Sequence, residues 1–263
     1  MEKVVQGESK LQPLFWHTAG SGDDLVLLHG WGMNGAVWQQ TVDVLSQHYC
    51  VHVVDLPGFG HSHQSCFTNM QELASQVLAD APQKAVWLGW SLGGLLATHI
   101  ALNHPERVQK LITVASSPKF AAEKRWRGIK PDVLSNFTEQ LVEDFQLTVE
   151  RFMALQAMGS PSARQDVKQL KKAVLSRPAP NPDSLLAGLK LLADIDYRAE
   201  LERLTTPTLR LYGRLDGLVP IKVASDVDNL LPASESHTFS ASSHAPFMTE
   251  FDEFCHKVRQ FIA

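Results

Sequence analysis

With 263 residues, 44% of them hydrophobic and 20% charged, the chain is long enough to bury the core of one α/β domain with an insertion. Its net charge of −4 excludes a generally basic nucleic-acid binder, and no run approaches the roughly 18 apolar residues of a membrane span. Residues 1–7 lack the apolar segment of a secretory signal, so we expect a cytoplasmic protein. Three widely spaced cysteines favour free thiols over a disulfide framework: Cys50, Cys66 and Cys255.

The first part of the chain alternates strand patterns with turns. Residues 1–22 are polar apart from one short apolar patch, and they can supply an edge strand or a hairpin. Residues 24–30 form an apolar run that enters a glycine-rich turn, and a helix is predicted over residues 36–46. A second buried strand is predicted over residues 49–55, and residues 56–62 are too rich in glycine for regular structure.

The glycine-rich turn allows an alternative interpretation. Residues 30–35 read Gly-Trp-Gly-Met-Asn-Gly, and Asp55 follows 20 residues after Gly35, as in a dinucleotide-binding fold. About two dozen residues precede this strand, although a first Rossmann strand usually opens its domain. Trp31 would crowd a pyrophosphate, and no tyrosine is followed four residues later by a lysine. We therefore keep a nicotinamide enzyme only as a minor alternative.

A serine lies at a predicted corner between a strand and a helix. The apolar run of residues 85–88 leads into Gly89-Trp90-Ser91-Leu92-Gly93, and a helical segment follows. This pattern is typical of a nucleophile elbow, whose strained turn lifts the serine hydroxyl off the sheet while glycines leave room for the chain. The pattern is common by chance, so its meaning depends on the rest of the chain.

The region after the next strand has a different period. A strand is predicted over residues 109–115, and residues 119–204 then show helical spacing without a strong strand candidate. Pro178, Pro180 and Pro182 break this region between two helical stretches. We therefore predict an all-helical cap over one face of the core.

Strands and helices alternate again after the cap. Residues 1–118 and 205–263 are therefore expected to form one α/β core with a mostly parallel sheet flanked by helices. The last four elements of this core are predicted over residues 206–213, 220–230, 236–239 and 247–261.

Two loops in the second half of the core supply partners for the serine. Asp216 lies three residues beyond a strand, and His244 follows the last strand, at the sheet edge where open α/β sheets place their sites. The chain order Ser91, Asp216, His244 is that of hydrolases with a nucleophile elbow. In this hypothesis His244 deprotonates Ser91 and Asp216 orients His244. Asp194 and Asp196 compete for the acid role but fall within the predicted cap.

Two backbone amides are candidates for the oxyanion hole. The N–H of Leu92 follows the nucleophile, and the N–H of Trp31 lies in the turn after the first buried strand. Each donor would lower the barrier by about 3 kcal/mol. We expect His29 to hold the oxyanion loop. His61, His63 and Cys66 carry metal-binding atoms and lie close together in the sequence, but no second cluster of ligands supports a metal site. We therefore predict a solvated loop without a metal at these residues.

Four motifs together resemble the α/β-hydrolase superfamily over nearly the whole chain: His29–Gly32, Gly89–Gly94, Gly213–Asp216 and Ser243–Pro246. Within it, the cap stretches 151–160 and 163–166 are similar to those of carboxylesterases of bacterial biotin synthesis. The resemblance implies an α/β-hydrolase fold. It implies an activity that hydrolyses the methyl ester of a pimeloyl chain on acyl carrier protein and releases methanol. It also implies a substrate pocket formed by Trp31, Ser91, Leu92, Phe152, Met153, Ala154, Leu155, Gln156 and His244.

The charge of the predicted cap indicates which kind of partner protein could bind to it. Residues 151–177 carry a net charge of +5, and the rest of the chain carries −9. Because acyl carrier proteins are acidic, this face suits docking of the carrier, although a solvated lysine-rich helix is the alternative. The related esterases favour arginine at the sites of Leu147 and Lys168, from which this chain departs. The docking residues we predict are Arg151, Arg164, Lys168 and Lys171.

The sequence therefore predicts a monomeric esterase with no cofactor, metal, nucleic-acid or membrane partner. The triad does not select a substrate, so a general short-chain carboxylesterase remains an alternative, as does a carbon-carbon or lactone hydrolase. A non-catalytic small-molecule receptor is the alternative from a different class; it would not be trapped by a phosphonate that reacts with active serines.

Overall fold

The computed structural model of the protein describes residues 13–263. The expectations attached to residues 1–12, namely the lack of a targeting segment and the start of the edge strand or hairpin, lie outside the described residues. Within residues 13–263, no helix is both long and apolar enough to cross a bilayer.

The described residues form a seven-stranded sheet in the order β1-β3-β2-β4-β5-β6-β7. Strand β1 runs antiparallel to β3, and all other neighbours are parallel. All six residues of the central strand β4 are buried, which explains its continuous apolar pattern. The strands are β1 (Trp16–Ala19), β2 (Asp24–Leu28), β3 (Cys50–Val54), β4 (Ala85–Trp90), β5 (Val108–Val114), β6 (Thr208–Gly213) and β7 (Glu235–Phe239).

Helices cover the sheet, as predicted, but two boundaries differ. A 3₁₀ turn over Gly35–Trp38 replaces the start of the predicted helix 36–46, and the predicted closing helix is divided at Glu250. The α-helices are α1 (Gln39–Leu45), α2 (Met70–Asp80), α3 (Leu92–Asn103), α4 (Pro131–Glu143), α5 (Phe145–Ala157), α6 (Ala163–Leu175), α7 (Pro182–Asp194), α8 (Lys222–Leu230), α9 (Pro246–Thr249) and α10 (Phe251–Ile262).

Helix α2 was not predicted, although its sequence carries a start signal. The Asn69 side chain accepts the N–H of Glu72, whose carboxylate accepts the N–H of Thr68 in return. Leu73 and Val77 lie one turn apart and are both buried. This reciprocal capping followed by helical spacing is the pattern that would have identified the helix.

Four helices, α4 to α7, lie between β5 and β6 instead of the two expected helical stretches. Pro182 begins α7 because the first helical position needs no N–H, so this proline starts a helix and does not interrupt one. We propose residues 119–204 as a cap on a core formed, within the described chain, by residues 13–118 and 205–263.

The cap is joined to the core by a buried ion pair. The Arg177 guanidinium, which follows α6, donates to the Asp55 carboxylate at the end of β3 and lies over the ring of Phe15. Beside it, Asn34 Nδ2 donates to the carbonyl of Val174 at 3.1 Å. Because Asp55 is fully buried, this contact fixes the end of α6 against the core.

Candidate active site

Strand β4 ends in a strained turn at Ser91. The backbone of Ser91 has φ 56° and ψ −116°, a conformation that typically costs about 1–3 kcal/mol and persists only when its surroundings enforce it. A Cβ on Gly89 would lie 2.1 Å from the carbonyl oxygen of Gly93, and one on Gly93 would lie 2.5 Å from that of Leu28. The two glycines therefore allow α3 to start directly above the sheet.

The turn brings Ser91 to the two side chains predicted as its partners. Ser91 Oγ lies 2.9 Å from His244 Nε2, and His244 Nδ1 lies 2.7 Å from Asp216 Oδ2. All three residues are buried, with the His244 side chain 0% and the Asp216 side chain 1% exposed. With the Nδ1–H donating to the carboxylate, Nε2 is free to accept the serine proton, which is the arrangement that activates a hydroxyl.

Backbone groups hold the acid and the base in place. Asp216 Oδ1 accepts the N–H groups of Leu218 at 2.8 Å and Val219 at 3.0 Å, which fixes the carboxylate. The N–H of His244 donates to the carbonyl of Gln156 in the cap. The indole of Trp90 donates to the carbonyl of His244 at 2.7 Å. The histidine loop is therefore fixed from both the sheet and the cap, and sequence reasoning had given Trp90 no role.

The two predicted oxyanion donors are the backbone amides of Leu92, at the elbow, and of Trp31, in the turn after β2 (residues 29–32, the predicted oxyanion loop). Leu92 is the first residue of α3, so its N–H has no acceptor within the helix, and the helix dipole favours negative charge there. Within residues 13–263, neither the Leu92 N–H nor the Trp31 N–H donates to another protein group. Gly32, at φ 72°, lets the chain turn away directly after Trp31.

The ring of Trp31 is held by the cap. Its Nε1 donates to the carbonyl of Leu185 at 2.8 Å, and its ring packs edge-on against Phe152 at a centroid distance of 4.7 Å. A Cβ on Gly188 in α7 would lie 2.6 Å from Trp31 Cδ1. Gly188 therefore permits the close approach of α7 to the oxyanion loop, a role with no signal in the sequence because the two positions are far apart.

His29 holds the turn after β2, the predicted oxyanion loop, through both ring nitrogens. Its Nε2 accepts the N–H of Leu56 at 3.0 Å, so Nδ1 carries the proton and donates to the carbonyl of Gly30 at 2.9 Å. Complete burial lowers the pKa of His29 to about 4, an effect that the nearby Asp55 charge only partly opposes. The imidazole is therefore neutral near pH 7 and able to make both bonds.

The segment 152–156, predicted to line the pocket, is divided by the helical period of α5. Phe152, Met153 and Gln156 are buried, Leu155 is half-buried, and Ala154 is exposed on the outer face. Phe152 packs against Trp31, the carbonyl of Gln156 accepts the N–H of His244, and Met153 is buried, whereas Ala154 faces solvent. Ser91 itself is only 3% exposed, so the serine is nearly closed off from solvent.

The predicted docking residues all lie on the exterior of the cap. Arg151, Arg164, Lys168 and Lys171 are exposed. Lys171 pairs with Glu150 at 2.7 Å. The position of Leu147 is 43% exposed on the neighbouring helix α5, so this surface combines charged and apolar groups.

Residues named in the alternative interpretations have other partners. Asp55 is fully buried and accepts the N–H groups of Gly35 and His61 as well as the Arg177 guanidinium, so its carboxylate is not open to a ribose. Asp196 pairs with Arg198 at 2.6 Å, and this hydrogen bond lowers the pKa of Asp196 to about 2. Asp194 ends α7 in the cap. Near the predicted solvated loop, the ring of His61 packs on Phe15, His63 Nδ1 lies 3.1 Å from the carbonyl oxygen of Gly60, and Cys66 is exposed.

A sheet with an elbow serine, an acid after β6 and a histidine after β7 defines the α/β-hydrolase class. Residues 24–251 match the model of a family described as the alpha/beta hydrolase fold, and the chain belongs to this family. Solved structures agree with the fold. An esterase from Exiguobacterium antarcticum has a TM-score of 0.83 at 22% identity, with 95% of each chain covered. A bromoperoxidase from Bacillus anthracis has a TM-score of 0.85 at 20% identity, also with 95% of each chain covered.

Much more similar sequences carry a specific name. The pimeloyl-[acyl-carrier protein] methyl ester esterase of Vibrio parahaemolyticus is 71% identical over 94% of this chain and 97% of the relative. Proteins of the same name from Vibrio cholerae and Aliivibrio fischeri are 65% and 63% identical, and the alignments cover 94% and 95% of this chain and 97% of each relative.

Proposed function

We propose that this protein is a serine carboxylesterase that hydrolyses the methyl ester of pimeloyl-[acyl-carrier protein] in biotin synthesis. The observation that carries the proposal is the buried chain of hydrogen bonds from Ser91 through His244 to Asp216. The names of relatives 63–71% identical to this chain support the substrate. The proposed products are methanol and the free carboxylate of the pimeloyl chain on its carrier.

The proposed reaction has two stages. Ser91 Oγ attacks the ester carbonyl while His244 Nε2 takes its proton, and the resulting oxyanion accepts the N–H groups of Trp31 and Leu92. The bond to the methoxy oxygen breaks as His244 returns the proton, so methanol leaves and an acyl-enzyme remains. Water then attacks the acyl-enzyme with His244 as base, which releases the carboxylate and restores Ser91.

The substrate pocket that we propose is lined by apolar side chains, which suits the apolar acyl chain of the substrate. Phe152, Met153 and the ring of Trp31 form buried apolar surface next to the oxyanion loop. Gln156 and His244 close the other side through a backbone hydrogen bond. In this proposal Ala154 contributes to the surface of the cap.

The cap also offers a route from the basic face towards the serine. A cavity of about 160 Å³ lies between α5 and α6 and is lined by Val149, Met153, Lys171 and Leu175, among others. A Cβ on Gly32 would lie 3.6 Å from Val149 Cγ1, so the Val149 side chain, which lines this cavity, lies close to the turn after Trp31. We propose that an acidic carrier docks against Arg151, Arg164, Lys168 and Lys171 and that its prosthetic arm follows this path.

We also propose that the protein works as a monomer in the cytoplasm. Three free cysteines, of which Cys66 is exposed, support a reducing compartment. Sedimentation of the purified protein tests the monomer, since a dimer would double the mass.

The proposed function is tested by methanol release from methyl pimeloyl-carrier protein and, in parallel, from methyl pimeloyl-pantetheine. The unaltered protein and Ser91→Ala are compared, with Ser75→Ala as a matched control because Ser75 is exposed on α2. We expect a strong preference for the carrier substrate, and loss of release only in Ser91→Ala.

The other outcomes overturn parts of the proposal. Equal rates on both substrates would leave a general short-chain esterase and refute the carrier assignment. Release by Ser91→Ala at the level of Ser75→Ala would refute the nucleophile. Binding of the ester without any methanol release by the unaltered protein would favour a receptor.

A further inference from the structure

Three side chains with metal-binding atoms lie together at the amino ends of the neighbouring strands β2 and β3. Asp24 and Cys50 are the first residues of β2 and β3 and are paired in register. His52 lies two residues after Cys50, so both side chains project from the same face of β3. A carboxylate oxygen, the thiol sulfur and an imidazole nitrogen of these residues all lie within 4.8 Å of one another.

The histidine of this group is already oriented. His52 Nε2 lies 2.7 Å from Asp24 Oδ1, and His52 Nδ1 lies 3.0 Å from Thr18 Oγ1, directly across the β1–β3 ladder. A hydroxyl can donate to Nδ1 or accept from it. Thr18 can therefore stabilise the tautomer in which Nε2 carries no proton and is available as a ligand. Metal-binding histidines generally have such a partner on the second ring nitrogen.

We propose that Asp24, Cys50 and His52 bind a zinc ion. Sulfur, imidazole nitrogen and carboxylate oxygen are the ligand types that zinc takes, and sites with three protein ligands complete a tetrahedron with water. The Asp24 side chain is 39% exposed, so water has access to the fourth position. The thiolate and the carboxylate together balance the charge of the ion.

The distances fit this geometry after small side-chain rotations. Zinc bonds of about 2.0 to 2.3 Å place tetrahedral ligand atoms about 3.3 to 3.6 Å apart. His52 Nε2 and Asp24 Oδ1 lie 2.7 Å apart, which is closer than this, and the separations among the three ligand atoms extend up to 4.8 Å, which is farther. Shifts of about 1 Å therefore bring all three ligand atoms to tetrahedral positions.

The ligand set suits a divalent cation. An ion between the Asp24 carboxylate and the Cys50 sulfur would stabilise the thiolate directly, and its binding would release the thiol proton. The sequence did not indicate this site because its ligands come from two strands separated by a helix.

The proposed site lies far from the serine. Ser91 follows the carboxyl end of β4, whereas Asp24 and Cys50 begin their strands. Because Leu25 pairs with Val86, Asp24 lies level with Ala85, about 20 Å from Ser91 along the strand direction alone. We therefore assign the zinc a structural role, in which it ties β2 to β3, and we expect ester hydrolysis to be the same with and without the ion.

The test is a titration of the chelator-treated protein with cobalt(II), which replaces zinc and shows sulfur-to-metal charge transfer when a thiolate binds. Zinc then competes for the site. We compare the unaltered protein with Cys50→Ser, and Cys66→Ser serves as the matched control because Cys66 is exposed near His61 and His63. The charge-transfer band is expected in the unaltered protein and in Cys66→Ser, and it should be lost in Cys50→Ser.

A second variant tests the orienting role of Thr18. Thr18→Val is expected to weaken zinc binding by roughly 10–100-fold, while hydrolysis of a simple ester stays unchanged. The proposal is overturned if the unaltered protein gives no band, or if the band is lost in Cys66→Ser and retained in Cys50→Ser. Equal zinc affinity in Thr18→Val and the unaltered protein would remove the assignment of Thr18 alone.

Discussion

The core and the cap fix their functional side chains in different ways. In the core, Ser91 is held by its own turn, and Asp216 is held by the N–H groups two and three residues further along the chain. In the cap, the contacts that matter join residues far apart in the chain. Trp31 donates to Leu185, 154 residues away, and Arg177 pairs with Asp55, 122 residues away.

The residues proposed to react and the elements that enclose them are therefore held by different kinds of contact. Short backbone motifs position Ser91 and Asp216, and only the loop of His244 is also held by the cap, through the carbonyl of Gln156. The enclosure of the site depends on α5 and α7, which bring Phe152 and Gly188 against Trp31. A change in a core motif should therefore remove catalysis, whereas a change in the cap should alter stability or substrate preference.

The sharpest test on the core side is Asp216→Asn. The amide can still accept the N–H groups of Leu218 and Val219, but it no longer holds His244 in the tautomer that accepts the serine proton. We expect kcat to fall by about 10⁴-fold with the fold retained. Ester hydrolysis and thermal unfolding measure the two effects, with Asp80→Asn at an exposed site as control. A loss smaller than tenfold would contradict the role of Asp216.

At the joint between cap and core, Arg177→Met leaves Asp55 buried without its cation. Because an uncompensated buried charge is costly, the free energy of unfolding should fall by about 3–5 kcal/mol in urea denaturation. Arg198→Met, which breaks a more exposed pair with Asp196, should cost about 1 kcal/mol or less. Equal losses in the two variants would mean that the cap is not fixed through Arg177.

The oxyanion loop should lose stability in acid because of His29. Its pKa is about 4 in the folded protein and 6.5 ordinarily, so the unfolded chain binds the proton more readily. The contribution is complete above about pH 6.5 and is lost as the pH falls towards 4. Between pH about 7.5 and about 5, it should lower the free energy of unfolding by about 2 kcal/mol.

The variant His29→Asn should remove this part of the pH dependence, as measured by urea unfolding at the two pH values. His99 offers an internal comparison, since burial lowers its pKa to about 4 as well. His99→Asn should therefore remove a similar share. An unchanged pH dependence in His29→Asn would show that the loop tolerates a protonated imidazole.

The smallest effect is expected at the surface of the cap. Lys168→Glu should reduce kcat/KM for the carrier-bound ester by about fivefold, because reversing an exposed charge changes the interaction with an acidic partner by about 1 kcal/mol. Hydrolysis of the pantetheine ester should not change. Lys222→Glu, exposed on α8, is the control for the same charge change elsewhere. Equal effects of both variants would place docking outside the basic face of α6.

The sequence by itself determined the order of the core strands and placed Ser91, Asp216 and His244, the predicted reacting residues, at their carboxyl ends; it did not determine helix α2. Buried parallel strands appear as continuous apolar runs, as in β4, and the glycines around Ser91 record a steric need of the turn itself. The same local logic holds for α2, whose capping signal lies at Thr68, Asn69 and Glu72. Such features depend on neighbours in the chain, so they are legible in the sequence.

Only the tertiary structure decided how the cap meets the core. It divided the helical segment into α4 to α7, turned Ala154 outwards, placed Gly188 against Trp31 and paired Arg177 with Asp55. It likewise brought Cys50 and His52 beside Asp24. These contacts join residues whose separation in sequence carries no periodic or steric signal, because they arise when the surfaces of separately formed elements pack together.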